Sequence, residues 1–149
     1  MFNLDKGYTF DCEFLEDGIT IDFISMGIVR LCDNKTLYVI SNEFNEKKAL
    51  AHEFVGKQVL PYLGNDPRYS KAEIWLMIQK FVIHDDPEWW CYCGGFDWIC
   101  LAQLCGQMIE FPENWPYFYH EIKQEISRLN IAKEDLPKKF VAFSPCFRR

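Results

Sequence analysis

The run from Tyr8 to Ser41 limits the possible folds most. Apolar, aromatic and charged residues alternate along it, and short turn segments break it. Tyr8 to Glu13 reads as a strand that places Asp11 and Glu13 on one face, because successive strand side chains point to opposite sides. Ile21 to Leu31 is rich in β-branched and apolar residues and reads as a second strand. Asp33-Asn34-Lys35 is turn chemistry, and Thr36 to Ser41 reads as a third strand, so strands two and three form a hairpin. The chain is therefore expected to open as a three-stranded antiparallel meander.

Helical signals follow. Asn45 to Leu60 gathers Ala49, Leu50, Phe54, Val55 and Leu60 near one stripe, and Pro61 ends it. Gly64 to Tyr69 reads as a loop. Ser70 with Glu73 three residues on is a capping-box pattern, opening a helix over Ala72 to Val82. Asp85-Asp86-Pro87 breaks the chain. Glu88 to Cys93 is an aromatic strand, Gly94-Gly95 a sharp turn, and Phe96 to Cys105 a helix ending at Gly106. Pro112 and Pro116 frame a loop, and Tyr117 to Leu129 reads as the last long helix. The order β-β-β-α-α-β-α-α predicts a single α/β domain with a mixed sheet, spanning 1–149 with an atypical or truncated part from about residue 130.

Composition narrows the classes. With 13 Phe, 7 Tyr and 5 Trp in 149 residues, the chain has ample surface to bury, so disorder is excluded as its main state. No stretch approaches the ~18 apolar residues of a membrane span. Met1 to Phe10 carries Asp5 and Lys6 and lacks the apolar core of a secretory signal, so the expected location is cytoplasmic. A net charge of −6 argues against a purely electrostatic nucleic-acid binder. The 7 cysteines are expected to be reduced thiols that pack as small hydrophobes. A zinc site built from Cys91, Cys93, Cys100 and Cys105 is the alternative, although no C-x-x-C pair exists.

Two places carry chemistry. Asp11 and Glu13 lie about 6.6–6.8 Å apart along a strand and can converge on one hard divalent cation. Their neighbours Tyr8, Phe10, Cys12 and Phe14 are apolar or aromatic, and unpaired charge in such surroundings is costly. The plain alternative is an edge strand whose acids face water. The second place is EWWCYCGGFDWICLAQLCG, Glu88 to Gly106, where Asp97 falls at the start of a helix and is favoured there by the dipole. Its glycines let another backbone or a nucleotide approach closely.

YTFDCEFLEDGITIDFISMGIV resembles the first motif of the DEDD superfamily of 3′–5′ exonucleases. Within it, the chain is similar to the small exoribonucleases typified by the mycobacterial polyadenylate-specific enzyme. CGGFDWICLAQLCG is similar to that group's second motif, and the likeness covers roughly residues 8–120. The resemblance implies a ribonuclease-H-like mixed β-sheet flanked by helices and a metal-dependent 3′–5′ exoribonuclease releasing nucleoside 5′-monophosphates. It also implies that Asp11, Glu13 and Asp97 are catalytic and bind Mg2+ or Mn2+. Backbone near Phe14 would line the terminal-nucleotide pocket, while Phe96 and Trp98 would either pack near a base or belong to the core. The implied partners are a single-stranded RNA 3′ end or a nucleoside monophosphate, and a second copy in a homodimer. Lys57, Arg68, Lys71, Lys80 and Lys123 are candidates to track the RNA backbone.

The family's third motif, a His followed after four residues by Asp, is not found. After residue 129 the chain reads NIAKEDLPKKFVAFSPCFRR, without His, and Asp135 is followed by Leu136-Pro137, which disfavours helix. His120 and Glu125 have a related spacing but stand where the segment before that motif belongs, so no general base is assigned. A shifted or shortened reading frame, a completing partner subunit, or a catalytically inactive RNA- or nucleotide-binding module on the same fold would each account for this. The basic tail from Lys138 to Arg149 reads as a flexible end or an interaction arm.

Overall fold

The alternating opening is built into a six-stranded sheet with β1 (Gly7–Glu16) near its centre. The computed structural model describes residues 3–132, so the readings of Asp135 and of the Lys138–Arg149 tail lie outside the described residues. β2 (Ile21–Arg30) pairs antiparallel with β1, and β3 (Lys35–Ser41) pairs antiparallel with β2, which is the expected meander. β5 (Glu88–Cys91) lies parallel to β1 on its other side. The short strands β4 (Arg68–Tyr69) and β6 (His120–Glu121) close the two edges in the order β4-β3-β2-β1-β5-β6. Antiparallel hairpins on one side and parallel crossovers on the other make this the mixed α/β sheet expected from the sequence.

The two faces of the sheet are covered separately. On one face Tyr8, Phe10, Cys12, Met26, Ile28 and Trp89 meet α2 (Lys71–Phe81) through Ile74 and Ile78, and α3 (Gly95–Cys105) through Cys100, Leu101 and Leu104. Trp89 is completely buried, with its ring 5.4 Å from both Tyr8 and Phe10 and 5.3 Å from Trp115. The Tyr8 hydroxyl is satisfied inside this core: Ile83 N–H donates to it at 3.0 Å and His84 Nδ1 is 2.8 Å away. On the other face Ile24 and Ile40 pack against Phe44, Ala49, Val55, Val59 and Leu63. Glu13 stands opposite Ser25 and Phe14 opposite Phe23, so Ile24 is the extra residue of a β-bulge. The bulge lets the fully buried Ile24 and the buried Ser25 follow one another in sequence without breaking the sheet.

Several elements differ from the sequence reading. The helix expected over Asn45 to Leu60 is split: α1 (Glu46–Ala51) stops where His52 turns extended, and a π-helical turn covers Val55–Val59, followed by a 3-10 turn at Leu60–Tyr62. Gly56 allows this return, since a Cβ there would stand 2.6 Å from the Leu50 carbonyl oxygen. The loop Gly64–Tyr69 contributes β4, and the aromatic strand ends at Cys91 rather than Cys93. The last helix is much shorter than Tyr117 to Leu129. His120 and Glu121 instead pair with Trp90 and Cys91, and α4 spans only Ile122–Arg128. By contrast, the capping box forms as read, with Glu73 N–H donating to Ser70 Oγ and Ser70 N–H to Glu73 Oε2.

Candidate active site

β1 carries Asp11 and Glu13 on the face opposite Phe10 and Cys12. Glu13 is only 4% exposed and Asp11 is half-buried. Across the ladder Asp11 faces Gly27, which has no side chain to crowd it. Burial and the nearby Glu13 carboxylate hold the Tyr38 phenol above its ordinary range.

Asp97 reaches the same stretch of β1 from the first turn of α3. β1 pairs with β5 only through Gly7, Tyr8 and Thr9, so by Cys12 it has outrun its parallel neighbour. The Cys12 N–H is donated instead to Asp97 Oδ1 at 2.6 Å. Cys12 lies between Asp11 and Glu13, and adjacent Cα atoms are about 3.8 Å apart. The Asp97 carboxylate therefore docks on β1 between the two acids. Asp97 is 7% exposed, and burial pushes its pKa up to about 6, with Glu13 and Glu121 adding to the rise and the Cys12 amide opposing it.

The cysteines around this point are packing groups. Burial, with Asp97 and Asp11 adding to it, pushes the thiols of Cys12 and Cys91 far up. Cys100 and Cys105 are buried as well, whereas Cys93 is exposed. The buried Cys91, Cys100 and Cys105 and the exposed Cys93 therefore do not form the zinc cluster of the alternative reading, among the described residues. Among the described residues no three His, Cys, Asp or Glu side chains are already grouped to hold an ion. The charged groups that raise the Asp97 pKa are themselves acids, Glu13 and Glu121, so oxygen donors that suit a hard divalent cation meet here.

The aromatic candidates divide. Phe14 and Phe96 stack with centroids 5.7 Å apart and planes 22° apart, and Phe96 is half exposed. Trp98 turns into the core, with rings of Phe10, Phe111 and Tyr119 at 6.4, 6.1 and 5.7 Å. Each histidine has contacts of its own: His84 with Tyr8, His52 accepting from Val55 N–H at 3.2 Å, and His120 against Trp90 at 4.5 Å. His120 and Glu125, whose spacing carries no assigned role, fall on different elements: His120 is on β6, while Glu125 lies in α4 and pairs with Arg128. Of the basic candidates, Lys57, Arg68 and Lys71 are engaged with Glu53, Glu46 and Asp22.

A groove of about 670 Å3 opens at the far end of β1, lined by Leu15, Glu16, Asp17, Lys48 and His52 among others. A smaller cavity of about 420 Å3, lined by Asp86, Glu88, Asn114, Phe118 and His120, belongs to the opposite end, where Glu88 pairs with Gly7. Glu121 is the residue at this site that sequence reasoning missed. Its carboxylate accepts from Cys93 N–H at 2.8 Å and Gly94 N–H at 2.9 Å.

A mixed sheet flanked by helices, with two acids on its central strand and a third at a following helix start, defines an α/β protein of the ribonuclease-H-like class. No family model matches the chain. It is similar to the 3′–5′ exoribonucleases of two Mycobacterium tuberculosis strains, each 35% identical over 123 residues that cover 78% of this chain and 71% of the relative. The chain belongs to the family of these exoribonucleases. Among the described residues no helix is long and apolar enough to cross a membrane.

Proposed function

We propose that the protein is a 3′–5′ exoribonuclease of the DEDD type that hydrolyses single-stranded RNA from its 3′ end and releases nucleoside 5′-monophosphates. One observation carries the reading: the Asp97 carboxylate, from a distant part of the chain, docks on the amide of Cys12 between Asp11 and Glu13. The mycobacterial relatives named for this activity support it.

Asp11, Glu13 and Asp97 are the residues that would hold Mg2+ or Mn2+. Bound there, the ions would supply an activated water and stabilise charge on the phosphodiester oxygens. The chain's own part is to gather acids that repel one another. Glu13 and Asp97 are kept largely from water, and Glu13 opposes ionisation of Asp97. These carboxylates would lose that mutual repulsion on holding a cation, so RNA binding at this point is expected to depend on metal. The Phe14–Phe96 stack offers an aromatic surface for the terminal base, and the groove beyond Glu13 offers room for the strand. Pairing of two copies, expected from the family resemblance, is checked by light scattering.

The test is release of nucleoside monophosphate from single-stranded RNA with Mg2+ or Mn2+. Activity should disappear with a chelator, and Asp11→Ala should lower it by at least ~100-fold, the scale of losing a principal catalytic group. Equal turnover in wild type and Asp11→Ala would remove Asp11 from the mechanism. RNA binding without turnover in wild type would favour a non-catalytic binding module.

A further inference from the structure

We propose that Glu121 is a positioning residue for Asp97: its carboxylate clamps the turn between β5 and α3 and so sets where Asp97 meets β1. The inference rests on the reading of Asp97 as part of the active site.

The turn has little of its own to hold it. Gly94, the N-cap of α3, has no side chain to cap the helix. Cys93 before it has φ of 56°, a left-handed conformation uncommon outside glycine. A Cβ on Gly94 would overlap the Cβ of Cys91, so the backbone passes too close for any other residue. Glu121 supplies the missing partner from outside. One oxygen accepts from Cys93 N–H at 2.8 Å and the other from Gly94 N–H at 2.9 Å. The first oxygen also takes Lys123 N–H at 3.1 Å.

The clamp lies one turn before Asp97. Gly94 O accepts from Trp98 N–H at 2.9 Å, closing the first turn of α3 around Asp97. Glu121 is itself held in register, because β6 places it opposite Cys91, the last residue of β5. A carboxylate accepting two or three amides has its charge shared with backbone donors, a strong arrangement for fixing geometry. Those bonds also commit both oxygens. The role proposed for Glu121 is accordingly to act on the metal through Asp97 and not as a fourth acid of the set. Groups that orient a ligand in this way typically change metal affinity by about 10–100-fold when removed.

The test is Mn2+ binding to the full chain without RNA, read from the free-ion paramagnetic resonance signal in wild type, Asp97→Ala, Glu121→Ala and Glu121→Gln. Amide hydrogen exchange at Cys93 and Gly94 is read alongside it. Glu121→Ala should weaken Mn2+ binding by about 10–100-fold and speed exchange at both amides. Glu121→Gln keeps a carbonyl that can take an amide, so its loss should be clearly smaller. If Glu121→Ala does not fold, the Gln variant carries the comparison through an affinity between those of wild type and Asp97→Ala. Wild-type Mn2+ affinity in a folded Glu121 variant with faster exchange would overturn the proposal, since the clamp would then be purely structural. A loss in Glu121→Gln as large as in Asp97→Ala, with exchange unchanged, would overturn it too by making Glu121 a ligand. Unchanged binding in Asp97→Ala would sink the active-site reading beneath it, a result separable from the others because it involves no Glu121 variant.

Discussion

Replacing Asp97 by Asn should make the metal-free protein more stable at neutral pH while removing its activity. The Asp97 carboxyl has a folded pKa of about 6 against an ordinary value of 3.8, first because it is buried. A gap of that size corresponds to roughly 3 kcal/mol of folding free energy once the group is ionised in both states. The folded value is the higher one, so the native state holds the proton more tightly than the unfolded chain does. The stabilising contribution of the neutral carboxyl is complete below 3.8 and is lost as pH rises through about 6. The amide of the Asp97→Asn variant does not ionise, and its oxygen can still accept the Cys12 N–H. Urea unfolding in the presence of a chelator measures the difference between variant and wild type. That difference should be about 1 kcal/mol near pH 4.5 and grow toward roughly 3 kcal/mol at about pH 8. Added Mn2+ should cancel it by stabilising the wild type alone. A difference that is flat across this range, or a variant less stable than wild type at the alkaline end, would refute the account of Asp97 as a carboxylate held against its own burial.

Two further substitutions probe the scaffold. Gly94→Ala forces a methyl group into Cys91 and should cost about 1–3 kcal/mol by thermal or urea unfolding, with loss of Mn2+ binding as the turn moves. Ser70→Ala removes the hydroxyl half of the capping box on α2 and should cost about 1 kcal/mol in urea unfolding, with nuclease activity unchanged at temperatures where the variant is folded.

How much of this was legible depended on whether the deciding interaction was local. The three-stranded meander was, because alternation and the Asp33-Asn34-Lys35 turn are local signals that β1, β2 and β3 simply obey. The Ser70 cap and the glycine turn before Asp97 were legible for the same reason. The break in the helix after Ala51 was hidden, since no proline marks it and the apolar spacing continues through Phe54 and Val55. The start of the last helix was misread because β6 has only two residues, and those are strand only through pairing with Trp90 and Cys91. Within the site, the pattern put Asp11 and Glu13 on one face and Asp97 at a helix start. The bond from Cys12 to Asp97 spans 85 residues and leaves no mark in the spacing. Glu121 was invisible because its role is written in two amides nearly thirty positions away, and any acid at the end of a short strand looks the same in sequence.

The uneven lengths of β1 and β5 have a consequence for how the protein fails. The two acids of the strand belong to the sheet, but their companion belongs to a helix that meets them where the pairing of β1 with β5 has already stopped. The sheet can stay intact while that helix start frays, since local openings need far less free energy than global melting. Mild stress should therefore take the carboxylates apart before it takes the architecture apart, leaving a chain that still looks native by its β-structure signal yet has lost its grip on cations.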